Sequence, residues 1–214
     1  MKINILAGGP ANLIPELLPY RNDGMWIGVD RGVLTLIQND IQPDLAFGDF
    51  DSVTTEELAL IEEKVTELNR FMPEKDETDM ELALNWALEQ NADRIRLFGA
   101  TGGRLDHLFA NIQLLIKPVL LDMAVLIEII DKKNIIYVKS SGEYTIQEIK
   151  DFKYFSFIPV TMEVKGLTLK NFKYPLKNHT VPIGSTLCIS NELIEDYGTF
   201  SFTEGILMVV RSKD

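Results

Sequence analysis

The residues that can do chemistry in this chain are mostly aspartates at the ends of short apolar runs. Asp30 closes one run in Gly-Val-Asp-Arg-Gly (28–32), and Asp49 and Asp51 follow another in Gly-Asp-Phe-Asp-Ser (48–52). Asp76 and Asp79 lie in Lys-Asp-Glu-Thr-Asp (75–79), and Asp106 in Gly-Ala-Thr-Gly-Gly-Arg-Leu-Asp-His (99–107). On an extended segment, the two-residue spacing of Asp49 and Asp51 puts both carboxylates on one side. Paired oxygens of this kind suit a hard cation such as Mg²⁺, which takes one or two carboxylates plus phosphate and water. Aspartate also caps helices and forms turns. Here Thr54 follows Asp51 and Thr78 follows Asp76, so each predicted helix already has a cap and the acids are left for another task.

Glycines form the second group. Gly8-Gly9 follows the first apolar run, and Gly99, Gly102 and Gly103 follow a later one. Neither cluster is a Walker A loop or a GxGxxG fingerprint. Glycine lets backbone N–H groups approach phosphate closely, and a helix N-terminus behind such a turn favours negative charge. Arg104, beside the second cluster, supplies a guanidinium suited to phosphate oxygens. Asp106, two residues on, can orient Arg104, bind metal or take a hydroxyl proton, and Asp76 is an equal candidate for the last role. Lys75 and Arg31 add positive charge near the same junctions.

The pattern along the chain predicts how these residues meet. Apolar runs at 3–7, 26–29, 45–47, 95–98 and 124–130 read as strands, several of them continuously apolar as strands covered on both faces are. Thr54/Glu57 and Thr78/Glu81 have capping-box spacing ahead of helical stripes. Leu105, Leu108, Ile112 and Leu115 form a third stripe. Strand–helix alternation predicts an α/β domain over 1–131 with a mostly parallel sheet. The carboxyl ends of such strands line a ligand crevice, so the acids gather at one edge.

From residue 132 the helical period disappears. Short strands are predicted at 134–138, 143–147, 154–160, 162–169, 172–176, 185–190, 199–203 and 206–211, punctuated by Gly and Pro. The second domain, 132–214, therefore reads as an all-β sandwich or barrel. It is small for a self-sufficient core, which predicts packing on the first domain or on a second subunit.

Composition limits the partners. The 214 residues carry 32 Asp+Glu against 21 Lys+Arg, a net charge of −11, so broad nucleic-acid binding is not expected. A nucleotide remains compatible, because a divalent cation mediates between carboxylates and phosphate. One Cys precludes an intrachain disulfide. No stretch has the length of a membrane span and no cleavable signal pattern opens the chain, so a soluble, reducing, cytoplasmic setting is expected. Met80 and Cys188 read as core residues, His107 as a helix-start residue and His179 as part of a solvated turn.

These blocks together resemble the thiamine pyrophosphokinase family. The matching pieces are Leu-Ala-Gly-Gly (6–9), Val-Asp-Arg-Gly (29–32), Pro-Asp (43–44), Gly-Asp-Phe-Asp-Ser (48–52), Lys-Asp-Glu-Thr-Asp-Met-Glu-Leu-Ala-Leu (75–84), and Gly-Ala-Thr-Gly-Gly-Arg-Leu-Asp-His (99–107) with Ala110-Asn111. Ser190-Asn191-Glu192 adds a C-terminal match. The resemblance implies an α/β catalytic domain, a C-terminal β-sandwich and a homodimer. It also implies Mg²⁺-dependent transfer of pyrophosphate from ATP to the hydroxyl of thiamine, releasing AMP. By the same resemblance Asp49, Asp51 and Asp79 are metal and phosphate-site acids. Asp76, Thr78, Arg104 and Asp106 are further active-site residues, and Ser190 and Asn191 contact thiamine. Gly8, Gly9, Asp30, Arg31, Lys75, Gly102 and Gly103 fall at the nucleotide side.

Two positions depart from the family pattern. Arg31 stands where many members have Gly. Both tryptophans, Trp26 and Trp86, fall in the first domain, whereas some members stack thiamine on a Trp near the C-terminus. Tyr197 and Phe200 are the candidate replacements, although both also read as core. Two other functions share these features: nucleotide-sugar or glycosyl transfer at an Asp-x-Asp metal site, and a catalytically silent thiamine or nucleotide sensor. The intact acid set speaks against silence.

Overall fold

Apolar runs rich in β-branched residues form the parallel strands. A computed structural model of the chain describes residues 1–50, 53–65, 67–70 and 76–214, the side chains of 67–70 apart. It contains two compact units, Met1–Lys132 and Lys133–Asp214. In the first, the elements run β1 (Lys2–Leu6), β2 (Met25–Val29), α1 (Gly32–Gln38), β3 (Leu45–Gly48), α2 (Thr55–Lys64), β4 (Glu67–Arg70), α3 (Asp79–Glu89), β5 (Arg94–Phe98), α4 (Leu105–Leu114), α5 (Ile116–Leu120) and β6 (Leu126–Ile130). The strands pair in the order β6-β5-β1-β2-β3-β4, every pairing parallel. Strand order reverses at β1, whose neighbours are β5 on one side and β2 on the other. Ligands of open α/β sheets bind beyond the strand ends at such a switch point.

The caps form as their spacing predicts. Thr54 accepts from the Glu57 N–H while Glu57 accepts from the Thr54 N–H, a complete capping box. Thr78 accepts from the Glu81 N–H at 3.2 Å. The third stripe differs from expectation. Leu115 is buried, but Leu105 is 63% exposed, and the buried side chain within α4 is Asn111. The strands also differ from continuous apolar runs. Asn4 and Arg96 sit opposite each other on β1 and β5, both buried. Arg96 donates to Asn4 Oδ1 at 3.2 Å and to Asp23 Oδ2 at 2.9 Å, and the Tyr20 ring lies 5.0 Å from its guanidinium carbon. These partners satisfy the buried cation, which would otherwise be costly.

The second unit is all β, with β7 (Asn134–Gln147), β8 (Tyr154–Pro159), β9 (Glu163–Lys170), β10 (Leu176–Pro182), β11 (Asn191–Glu192) and β12 (Tyr197–Ser212). β7 and β12 pair antiparallel along nearly their full length. The first half of β12 also pairs with β9 and the second half with β8, while β10 extends from β9 and β11 pairs with β8. Phe157 of β8 lies 5.2 Å from Phe200 of β12, and Phe155 and Phe157 both meet the Phe172 ring edge-on.

The short strands expected at 134–138 and 143–147 are one strand, and so are those at 199–203 and 206–211. Gly142 and Gly205 do not break them. They sit at φ 158° and 101° where the register shifts between Phe202 and Ile206, the habit of glycine at a bulge. The segment 185–190 is not a strand, and of 172–176 only Leu176, which opens β10, and an isolated bridge from Phe172 to Leu193 are β. Phe172 and Cys188 are buried as apolar spacing suggests, yet the chain turns there. His179 is not in a turn: it lies in β10, opposite Leu167. That strand is largely exposed and, among the described residues, pairs only with β9, so its polar sequence concealed it. Burial pushes the Cys188 thiol up. No helix among the described residues is long and apolar enough to cross a membrane.

Candidate active site

The carboxyl ends of β1, β2 and β5 open into one cleft of about 710 Å³. Its walls come from residues 7–10, 29–31, 77–80 and 99–104, with His107, Ala110 and Asn111 behind. The structure thus brings Gly8, Gly9, Asp30, Arg31, Thr78, Asp79, Gly102, Gly103 and Arg104 together, from sequence segments far apart. The two glycine turns touch backbone to backbone. A Cβ on Gly9 would lie 2.3 Å from the Gly99 carbonyl oxygen, so a side chain there would force the turns apart.

Helices α1, α3 and α4 begin at this cleft, with Arg31, Thr78 and Arg104 as their N-caps. The dipoles of these helices make their starts favourable to anions. Arg104 stands 74% exposed, and its guanidinium grips Asp106 through two bonds, Nε to Oδ1 at 3.2 Å and Nη2 to Oδ2 at 2.5 Å. Asp106 Oδ1 also accepts from the His107 N–H. Hydrogen bonding from Arg104 holds the Asp106 carboxyl down at about 2. Such an acid is a poor proton acceptor at neutral pH, so this contact orients Arg104 better than it prepares a base.

A pH dependence follows. A depressed carboxyl pKa means that the pair is complete above the ordinary value of 3.8 and lost only as pH falls through about 2. Carbon-detected NMR of Asp106 is therefore expected to show no titration above about pH 4. A midpoint near neutrality would contradict the Arg104 contact.

Asp49 lies one residue beyond β3 and is not among the cleft-lining residues. Asp30 packs against the preceding residue: a Cβ on Gly48 would lie 2.2 Å from Asp30 Oδ1. Asp51 and Lys75 lie outside the described residues. Phe50, which follows Asp49, has φ 57° and so is not itself extended. Its ring is drawn into a buried cluster with Val33, Leu34, Ala46 and Ile61, which turns the chain at this point. Among the described residues no group of three or more His, Cys, Asp or Glu side chains is placed to hold a metal. The donor chemistry of Asp30, Asp49 and Asp79, all carboxylate oxygen, is nevertheless what Mg²⁺ takes. Asp76 is exposed and precedes the Thr78 cap.

Sequence reasoning missed several cleft residues. Pro10 and Glu77 line it, as do Thr101 and Asn111, which stood within the matching motifs without a role of their own. Pro10 directly follows the glycine pair and Thr101 lies inside the glycine-rich turn, a proximity that was available as a signal. Met80, read as core, is buried and also lines the cleft.

In the other unit, Ser190 is exposed with φ 57°, and its N–H donates to Ser156 Oγ at 3.0 Å. Asn191 is buried. Its Oδ1 accepts from the Tyr174 N–H and its Nδ2 donates to the Tyr174 carbonyl, fixing the turn that presents Ser190. Phe200 is core, stacked on Tyr144 at 5.0 Å, whereas Tyr197 is 44% exposed and does not fit a core reading.

Comparison with known proteins accords with this layout. The model for the thiamin pyrophosphokinase catalytic domain matches residues 19–127, and that for the thiamin pyrophosphokinase vitamin B1 binding domain matches 143–207. The thiamine pyrophosphokinase of Bacillus subtilis (strain 168) is 52% identical over 213 residues, 99% of each chain. The crystal structure of thiamine pyrophosphokinase from Bacillus subtilis superimposes with a TM-score of 0.94 at 50% identity, covering 100% of both chains. A thiamin pyrophosphokinase family protein from Enterococcus faecalis does so with a TM-score of 0.92 at 36% identity, again over 100% of both. The chain is an enzyme and belongs to the thiamine pyrophosphokinase family.

Proposed function

We propose that the chain transfers the pyrophosphoryl group of ATP to the hydroxyl of thiamine, giving thiamine diphosphate and AMP, with Mg²⁺ at the acidic edge. The observation that supports this most is the convergence of two glycine turns, Arg104 and the carboxylates of Asp30 and Asp79 in one cleft. In this reading the 1–131 domain is catalytic. The 132–214 domain is a β-sandwich that binds thiamine and dimerises, and the enzyme works as a cytoplasmic homodimer.

Backbone N–H groups of the 99–103 turn and the N-termini of α1, α3 and α4 cradle the polyphosphate. Arg104, oriented by Asp106, and Arg31 face the transferring group, with Lys75 as a further cation. Asp49, Asp51 and Asp79 would hold Mg²⁺, which offsets the charge of the triphosphate and of the leaving AMP. The thiamine oxygen attacks the β-phosphorus in line. The bond from that phosphorus to the bridging oxygen breaks, AMP leaves with that oxygen, and the hydroxyl proton passes to solvent or to a nearby carboxylate such as Asp76. Alignment of two substrates supplies much of the rate in such a step. At the thiamine side Ser190 makes the contact and Asn191 holds its turn. The cationic thiazolium is favoured by the acidity of the protein.

Purified protein with ATP, Mg²⁺ and thiamine is expected to form AMP and thiamine diphosphate in equal amounts, and a chelator to stop it. ADP as the nucleotide product, or sugar transfer in place of either product, would overturn the reaction.

A further inference from the structure

We infer that Asp131 is a positioning residue for this reaction, acting through Thr101 to set the shape of the 99–103 turn; the inference rests on the reaction proposed above. Asp131 follows β6 at the carboxyl edge of the sheet and is not among the cleft-lining residues. It is 5% exposed and Thr101 is 7% exposed. The Thr101 hydroxyl donates to Asp131 Oδ2 at 2.8 Å. A carboxylate this buried is costly, and a well-packed apolar residue would serve stability as well. Its return lies in fixing one geometry.

The turn needs such fixing. Gly99, Gly102 and Gly103 have φ 61°, 80° and 64°, and glycine has the widest choice of backbone conformations. Two buried side chains from flanking elements fasten it. Asp131 holds Thr101, and Asn111 of α4 donates to the Ala100 carbonyl at 2.9 Å. The next residue reaches the same turn by a second route. The Lys132 N–H donates to the Leu13 carbonyl at 2.8 Å, and Leu13 packs so closely on Gly102 that a Cβ there would lie 2.3 Å from its Cδ1. Residues 131 and 132 thus both bear on the 99–103 turn, one through Thr101 and the other through Leu13. Because the Thr101 proton goes to Asp131, Thr101 is no phosphate donor here. Phosphate meets the backbone N–H groups of the turn and Arg104, whose orientation depends on the fastening.

Thr101→Val keeps the side-chain shape and removes the hydroxyl, and Thr101→Ser restores it. Calorimetry with MgATP and steady-state kinetics for both substrates give the test, with Asp131→Asn as a companion and thermal unfolding as a control. Thr101→Val is expected to weaken MgATP binding and raise the KM for ATP by about 10–100-fold, as small misplacements in a site do. The KM for thiamine should stay within about twofold, and serine should restore both MgATP binding and any melting temperature lost with the hydrogen bond. Unchanged MgATP binding in Thr101→Val overturns the inference alone. Equal losses for both substrates with lower melting and no serine rescue overturn it too, since they mark general packing. Wild-type protein that binds no MgATP overturns the underlying reaction and the inference with it.

Discussion

Asp79→Asn is expected to lower kcat/KM on the order of 10²–10³-fold, the range seen when one preorganised electrostatic group is removed from a catalytic site. Asp79 is the first residue of α3, capped by Thr78 and facing the cleft. Asparagine keeps its size but removes its charge, so in the proposed reaction the metal would lose one anionic ligand while the helix keeps its cap. The structural cost is modest. A carboxylate in the first turn of a helix stabilises it by roughly 0.3–1 kcal/mol. For a protein of this size that corresponds to a fall of about 2–4 °C or less in Tm. The signature is therefore a large kinetic loss with near-normal melting, partly offset by excess Mg²⁺. Wild-type turnover in this variant would remove Asp79 from the site.

Arg104→Ala is expected to have an effect of similar size, roughly 10²–10³-fold in kcat, below the range reported for a trans-acting arginine finger. Its side chain is exposed and paired with Asp106, so stability should barely change, as for exposed ion pairs in general. Lysine should recover only part of the rate, because a point charge cannot reproduce the planar fork that Asp106 orients. A full rescue by lysine would mean that charge alone matters and that the two-bond contact is incidental. Asp106→Asn should then act in the same direction as Arg104→Lys, by loosening the guanidinium.

The residues legible in the sequence are those whose local setting reveals their place. Asp30, Asp79 and Arg104 stand where an apolar run ends or a capped helix begins, and in a parallel sheet all such junctions face one edge. Thr54 and Thr78 were legible as caps for the same local reason. What escaped depends on distant partners. Asp131 acquires its role only when β6 lies beside β5 and brings it to Thr101, thirty positions away. Arg96 looks misplaced in a strand until Asn4 and Asp23 meet it. Phe50 departs from the extended backbone expected after β3, with its ring in a buried cluster formed by α1, β3 and α2. In the second unit, Gly142 and Gly205 read as breaks because a sequence does not distinguish a glycine that ends a strand from one that bends it. β10 was hidden by its polar exposed edge.

The most direct test of the chemistry follows the phosphorus atoms. ATP labelled with ³²P at the β-phosphate is supplied with Mg²⁺, thiamine and the enzyme, and the products are separated. Pyrophosphoryl transfer carries both the β- and γ-phosphorus to thiamine, so the label should appear in thiamine diphosphate, matched mole for mole by unlabelled AMP. Label remaining in ADP, with thiamine products unlabelled, would mean stepwise transfer of γ-phosphates and would contradict attack at the β-phosphorus in this cleft.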